Sequence, residues 1–231
     1  MTNDISALFQ KLTIQVREAL DPLGYMDGAN GAFKTGHVPG IAPLAYLATF
    51  YAGLDDNGIQ AAEAECDRFI PDLYRALLRH TNGLRLGKLS LHGTTFQSAY
   101  TSGPGIGQPI SLVYQNVYER PNYIPNGHLG IGAMNGEWHS QGHFYLASTG
   151  EVEMYHRDAN LLGARWASIE EFLQSEIPRQ LSLYDAEGRI KSDVKQLPGD
   201  TETWEAIAEA KKGEQARASG LRGKIADMFR R

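Results

Sequence analysis

The segment from Ile70 to Gly83 constrains this chain more than any other, because it fixes a short helix at both ends. Pro71 suits the first helical position, where a missing N–H costs nothing. Ile70, Leu73, Tyr74, Leu77 and Leu78 then recur at helical spacing and predict one buried face. Asn82-Gly83 predicts a left-handed stop. A Gly-rich, strand-like region follows, so a helix must pack where the pattern turns to strands.

Further helices flank this one. Ile5, Leu8, Phe9, Leu12, Val16 and Leu20 share a face and predict a helix over residues 5–20. Residues 56–68 predict another, capped by Asp55, Asp56 or Asn57. Gly24 to Gly40 reads as loop, and Leu44 to Tyr51, apolar nearly all round with Pro43 at its start, as a buried or docking helix. Between Leu84 and Arg157 the pattern changes to strands. Leu84, Leu86, Leu89 and Leu91 alternate with a slip at Gly87-Lys88, a turn or a bulge. Ile110 to Tyr118 is rich in β-branched and aromatic residues, and Ser148-Thr149-Gly150 joins two strands as a hairpin. In the second of these, Glu151 to His156, Val152, Met154 and His156 face one side and Glu151, Glu153 and Tyr155 the other. The Gly103–Gly107 run lacks the strand-then-helix setting of a phosphate loop and reads as a turn. Ser168 with Glu171 forms a capping box before Ile169, Phe172, Leu173 and Ile177. The order predicts an α+β fold: helices packed on a central, largely antiparallel sheet, with N- and C-terminal helical extensions. The expected division is an N-terminal helical extension over 1–54, an α+β domain over 55–185 and a charged helical extension over 186–231.

Composition narrows the function. The 231 residues are 42% hydrophobic and 21% charged, ordinary for a folded protein able to bury a core unaided. The net charge of −5 argues against sequence-independent nucleic-acid binding, which needs a basic surface. One cysteine, Cys66, fits a reducing compartment and reads as a small buried hydrophobe. No apolar run reaches membrane-spanning length and no secretory signal is evident, so the expected setting is the cytoplasm without membrane contact. Residues 186–231 carry ten Lys/Arg against eight Asp/Glu, and 51–185 nine against fifteen. The tail is therefore a charge-mixed helical face, either solvated or an arm for a partner.

Four histidines, His128, His139, His143 and His156, fall in one stretch. A metal-dependent hydrolase using His128, His139 and His143, with Glu137, is one reading. On a strand, however, His139 and His143 lie about 13 Å apart, too far for one zinc without a turn. No cofactor is implied. The carboxylate pairs at Asp55-Asp56, Glu63/Glu65 and Glu170-Glu171 sit at helix starts or on solvated faces, and none is assigned to acid–base work. Aromatic residues are dense in the same region. Those left exposed make good interface anchors, and the set with candidate partner contacts is Tyr114, Tyr118, Trp138, His139, Tyr145 and Tyr155.

Taken together, residues 55–177 resemble the SUKH superfamily, the Smi/Knr-like proteins. The matching residues are Ile70-Pro71 with Tyr74, Leu77 and Asn82-Gly83, then Leu129-Gly130-Ile131-Gly132, then Phe144-Tyr145-Leu146 with Gly150-Glu151-Val152, and last Trp166-Ala167-Ser168 with Phe172-Leu173. Residues 1–54 precede the usual start of that domain, the 93–128 stretch is longer and richer in Gly and Pro, and Asn135–His139 stands where relatives carry an acidic turn. The resemblance implies a non-catalytic protein-binding module. Bacterial members look like immunity proteins that neutralise toxins, often nucleases, and eukaryotic members regulate cell-wall synthesis through protein contacts. The first expectation is thus an immunity protein whose partner is a toxin domain. A regulatory scaffold of cell-wall type, with 41–52 and 200–231 as docking arms, is the other non-enzymatic reading.

Overall fold

The computed structural model describes residues 2–95, 101–135, 141–157, 160–192, 194–199, 206 and 210. The fold is α+β, as the pattern predicts. Helix α1 (Thr2–Leu20) buries Ile5, Phe9, Leu12, Val16 and Leu20. Three strands follow, β1 (Tyr25–Asp27), β2 (Phe33–His37) and β3 (Tyr46–Phe50). Then come helices α2 (Asp56–Cys66) and α3 (Asp72–His80). The chain returns to strands with β4 (Leu84–Leu86), β5 (Leu89–Leu91), β6 (Leu129–Asn135), β7 (Gln141–Leu146), β8 (Val152–His156) and β9 (Leu162–Trp166), and α4 (Ile169–Ser182) closes the domain. Among the described residues the strands form a nine-stranded sheet in strict sequence order, every neighbouring pair antiparallel. Helix α1 packs on α3 and α4, so these helices cover one face. Phe144, Trp166 and Phe172 meet edge to face between sheet and α4, with ring centroids 4.9–5.9 Å apart.

The delimited helix is α3, and its ends differ in detail from the expectation. Pro71 is the N-cap rather than the first helical residue, and the helix stops because Thr81 is extended. Asn82 does not act as the stop. Its buried side chain brackets Thr94, donating to the Thr94 carbonyl and accepting from the Thr94 N–H at 2.8 Å each. Tyr74, fully buried, donates its hydroxyl to the His92 carbonyl at 2.6 Å. Both residues therefore tie α3 to the chain beyond β5. Asp55 caps α2 through the Gly58 N–H. Ser168 caps α4 through the Glu171 N–H, and the Glu171 carboxylate accepts from the Ala167 N–H, one residue earlier than the reciprocal bond of a capping box.

Two expectations are overturned. Leu44 to Tyr51 is not a helix; it contains β3, a central strand with Leu47, Ala48, Thr49 and Phe50 all buried. A strand covered on both faces reads as a continuous apolar run, which periodicity alone does not separate from a buried helix. Phe50 stacks on Phe33 of β2 at 4.7 Å, a pairing that only the strand register supplies. Gly24 to Gly40 is not all loop either. Asn30 and Gly31, at φ 52° and 79°, make the left-handed turn that joins β1 to β2. As a result the sheet and its core run without interruption across residues 54 and 55. The slip at Gly87-Lys88 is the β4–β5 turn, and the hairpin at Ser148–Gly150 is as expected.

Candidate functional site

Phe144 points into the helix-covered core, so its neighbour Tyr145 points to the opposite, back face of the sheet. Gly130 of β6 pairs with Tyr145, and a register shift between Gly130 and Gly132 opens the β6–β7 ladder there. Two side chains enter that opening. Asn116 donates to the Gly130 carbonyl at 2.7 Å and accepts from the Gly130 N–H at 2.8 Å. Gln115 accepts from the Gly132 N–H at 3.0 Å and donates to the Phe144 carbonyl at 2.8 Å. Both amides are buried, and each replaces a strand partner for backbone groups that the bulge would orphan. Gly130 is required because a Cβ there would lie 2.7 Å from the Gln115 side chain.

The two amides sit on a π-helical turn, Tyr114–Tyr118, closed by the Glu119 N–H to the Tyr114 carbonyl at 2.7 Å. The extra residue in a π turn lets Gln115 and Asn116 both point inward. Tyr114, Val117 and Tyr118 are left pointing outward, 56%, 47% and 75% exposed. Ile110, 38% exposed, lies just upstream, and the rings of Tyr114 and Tyr118 meet edge to face at 6.1 Å. The result is an apolar platform held on a polar latch. A dense run of exposed apolar side chains marks an interaction surface more often than chance exposure does.

Below the platform the back face carries a second cluster. Glu153, buried, accepts from Tyr155 at 2.9 Å, from His128 at 3.1 Å and from Arg165 at 2.6 Å. Burial alone would raise its pKa, but the Tyr155 and His128 hydrogen bonds and the Arg165 charge outweigh that and hold the carboxyl below its usual range. Burial, then the Glu153 bond, pushes the Tyr155 phenol up to about 12. Burial pushes Tyr145 up to about 12. Both remain neutral at physiological pH. Arg120 lies 6.0 Å from the Tyr145 ring, and Arg157 pairs with Glu119 at 3.2 Å, tying the end of the π turn to the end of β8.

The sequence-derived candidates are thus distributed as follows. Tyr114 and Tyr118 stand together on the surface. Tyr155 is half-buried, and Tyr145 is fully buried beneath the same face, packed edge to face on Tyr155 at 6.0 Å. Trp138, His139 and Glu137 lie outside the described residues. His128 bonds Glu153 of β8, whereas His143 opposes Ala133 of β6 and Tyr155 of β8. Among the described residues no group of three His, Cys, Asp or Glu side chains is placed to hold a metal ion. No described helix is long and apolar enough to cross a membrane. Cys66 is a core residue, 2% exposed.

The latch has only a faint signal in the sequence. Its signal is the Gln115-Asn116 pair set inside Tyr114, Val117 and Tyr118, with two glycines at alternate positions of a following strand. Aromatic and β-branched content alone describes a strand there.

A comparison with protein families matches residues 53–175, more than half of the chain, to the SMI1 / KNR4 family (SUKH-1). No curated protein and no solved structure matches it.

Proposed function

The chain belongs to the SMI1 / KNR4 family (SUKH-1), and from that premise we propose that it is a non-catalytic, cytoplasmic protein-binding module that neutralises a toxin domain by direct contact. The observation that carries the reading is the exposed Tyr114–Val117–Tyr118 platform on its buried amide latch. Tyrosines on a rigid support bury large area at small entropic cost and dominate interface energetics. The net charge of −5 favours approach to a basic surface such as that of a nuclease. Occlusion then requires no chemistry from the module itself.

The test is binding and protection against toxins encoded beside the gene. The expected outcome is a one-to-one complex that abolishes toxin activity. The Tyr114→Ala/Tyr118→Ala double variant, with an unchanged melting curve, should bind at least about 30-fold more weakly, the loss of one hot spot. Full toxin activity in one-to-one mixtures with every such neighbour sinks the proposal. Unchanged affinity of the double variant removes the platform from it.

A further inference from the structure

Cross-strand partners run straight across the first part of the sheet: Lys34 of β2 opposes Thr49 of β3, Thr49 opposes Arg85 of β4, and Arg85 opposes Ser90 of β5. These four alternate with Phe33, Phe50, Leu84 and Leu91, which enter the core, so all four stand on the back face. Tyr51, two residues beyond Thr49, shares that face. Neighbouring strands are about 4.8 Å apart, which sets the Lys34 and Arg85 backbones about 10 Å apart with the Thr49 hydroxyl between them. Lys34 Nζ donates to the Gly105 carbonyl at 2.6 Å, and two of its three hydrogens remain for another acceptor. Arg85 is exposed, and its charge reaches both Lys34 and Tyr51. The ion pairs among the described residues include neither Lys34 nor Arg85.

Two like charges therefore share one face of an otherwise acidic protein, with hydroxyls between them and, among the described residues, no carboxylate in an ion pair with either. An anion seated between them is attracted by both charges. We propose that Lys34, Thr49, Tyr51, Arg85 and Ser90 form a binding site for a phosphate group. The forked guanidinium of Arg85 suits two phosphate oxygens and the ammonium of Lys34 a third, above a nearly closed floor in which Thr49, Tyr51 and Ser90 are 7%, 4% and 5% exposed. Charge selects phosphate over carboxylate, since a phosphate monoester carries about −1.5 to −2 at neutral pH and matches both cations. The site straddles the family boundary. Lys34, Thr49 and Tyr51 precede residue 53, where the family match begins, and Arg85 and Ser90 follow it. It exists because β2 and β3 extend the sheet beyond β4.

The experiment is an amide NMR titration of the full chain with inorganic phosphate at constant ionic strength, with acetate as a parallel arm. Saturable shifts at Thr49, Arg85 and Ser90 are expected. Arg85→Gln, which alters an exposed side chain and should melt like the wild type, is expected to weaken binding about tenfold or more, and Lys34→Gln to do so independently. Non-saturating shifts, or a binding curve unchanged in Arg85→Gln, overturn the site. Equal saturation by acetate overturns the phosphate assignment. The titration needs no protein partner, so its result is separate from that of the toxin test.

Discussion

Replacing Asn116 with alanine removes three hydrogen bonds in one step: to the Leu112 carbonyl at 2.9 Å, to the Gly130 carbonyl at 2.7 Å and from the Gly130 N–H at 2.8 Å. Asn116 is 3% exposed, so the two Gly130 groups lose partners inside the protein rather than at its surface. Each orphaned buried group costs about 1–3 kcal/mol, and water entering the vacated space recovers part of that, which sets the expected loss at about 3 kcal/mol. For a domain of this size that is a fall in melting temperature of about 6–12 °C. Urea titration and calorimetry measure it. Asn116→Asp should be at least as damaging, because it keeps the acceptor for the Gly130 N–H and turns a second acceptor towards two carbonyls. Tyr118→Ala is the control. It removes a side chain that is 75% exposed and should stay within about 0.5 kcal/mol of the wild type. The latch account is refuted if Asn116→Ala costs less than about 0.5 kcal/mol, and the platform is not a free surface if Tyr118→Ala costs as much as Asn116→Ala.

Glu153 and Cys66 supply two more expectations. The Glu153 carboxyl titrates below its usual value in the folded protein, so the stability it contributes is fully present above the unfolded-state value of about 4.3 and is lost as pH falls through the folded one. Glu153→Gln should therefore lower the unfolding midpoint clearly at pH 7, with the gap to wild type narrowing below about pH 4; a gap independent of pH rules out the charged hub with His128, Tyr155 and Arg165. Burial pushes the Cys66 thiol up to about 12, so a disulfide reagent at pH 8 should label it only at the rate of unfolding, and prompt labelling of the native protein contradicts its place in the core.

The sequence was most legible where one local rule fixed one element. Ile5 to Leu20, Asp55 with α2, Ser168 with α4, and the Ser148–Gly150 hairpin each follow from a period, a cap or a turn. It was least legible where two environments produce the same pattern. The Tyr46–Phe50 strand is buried on both faces and so carries no period of two, and glycines around Asn30-Gly31 hide a tight turn among apparent loop residues. Tyr114 and Tyr118 are candidate anchors by residue type and both are exposed, but aromaticity does not distinguish them from Tyr145, which stands on the back face and is fully buried there. The latch is a long-range property. Gln115 and Asn116 acquire their role only from a bulge that places Gly130 and Gly132 beneath them.

The three strands before the family-matched region have one further effect. Without β1–β3, β4 would present a bare row of N–H and C=O groups, a template on which any extended chain can add. With them, that exposure moves to β1, a strand of three residues whose Asp27 is held by Arg17 at 3.1 Å. At the far side, Gly199 lies so close to the Gly163 carbonyl that a Cβ would come within 2.0 Å of it, so the Leu197-Pro198-Gly199 stretch screens β9. Both margins of a long sheet are thereby shortened, charged or covered, the standard defences against strand-to-strand aggregation. The chain can then present the exposed Tyr114–Tyr118 platform without also offering its backbone to copies of itself.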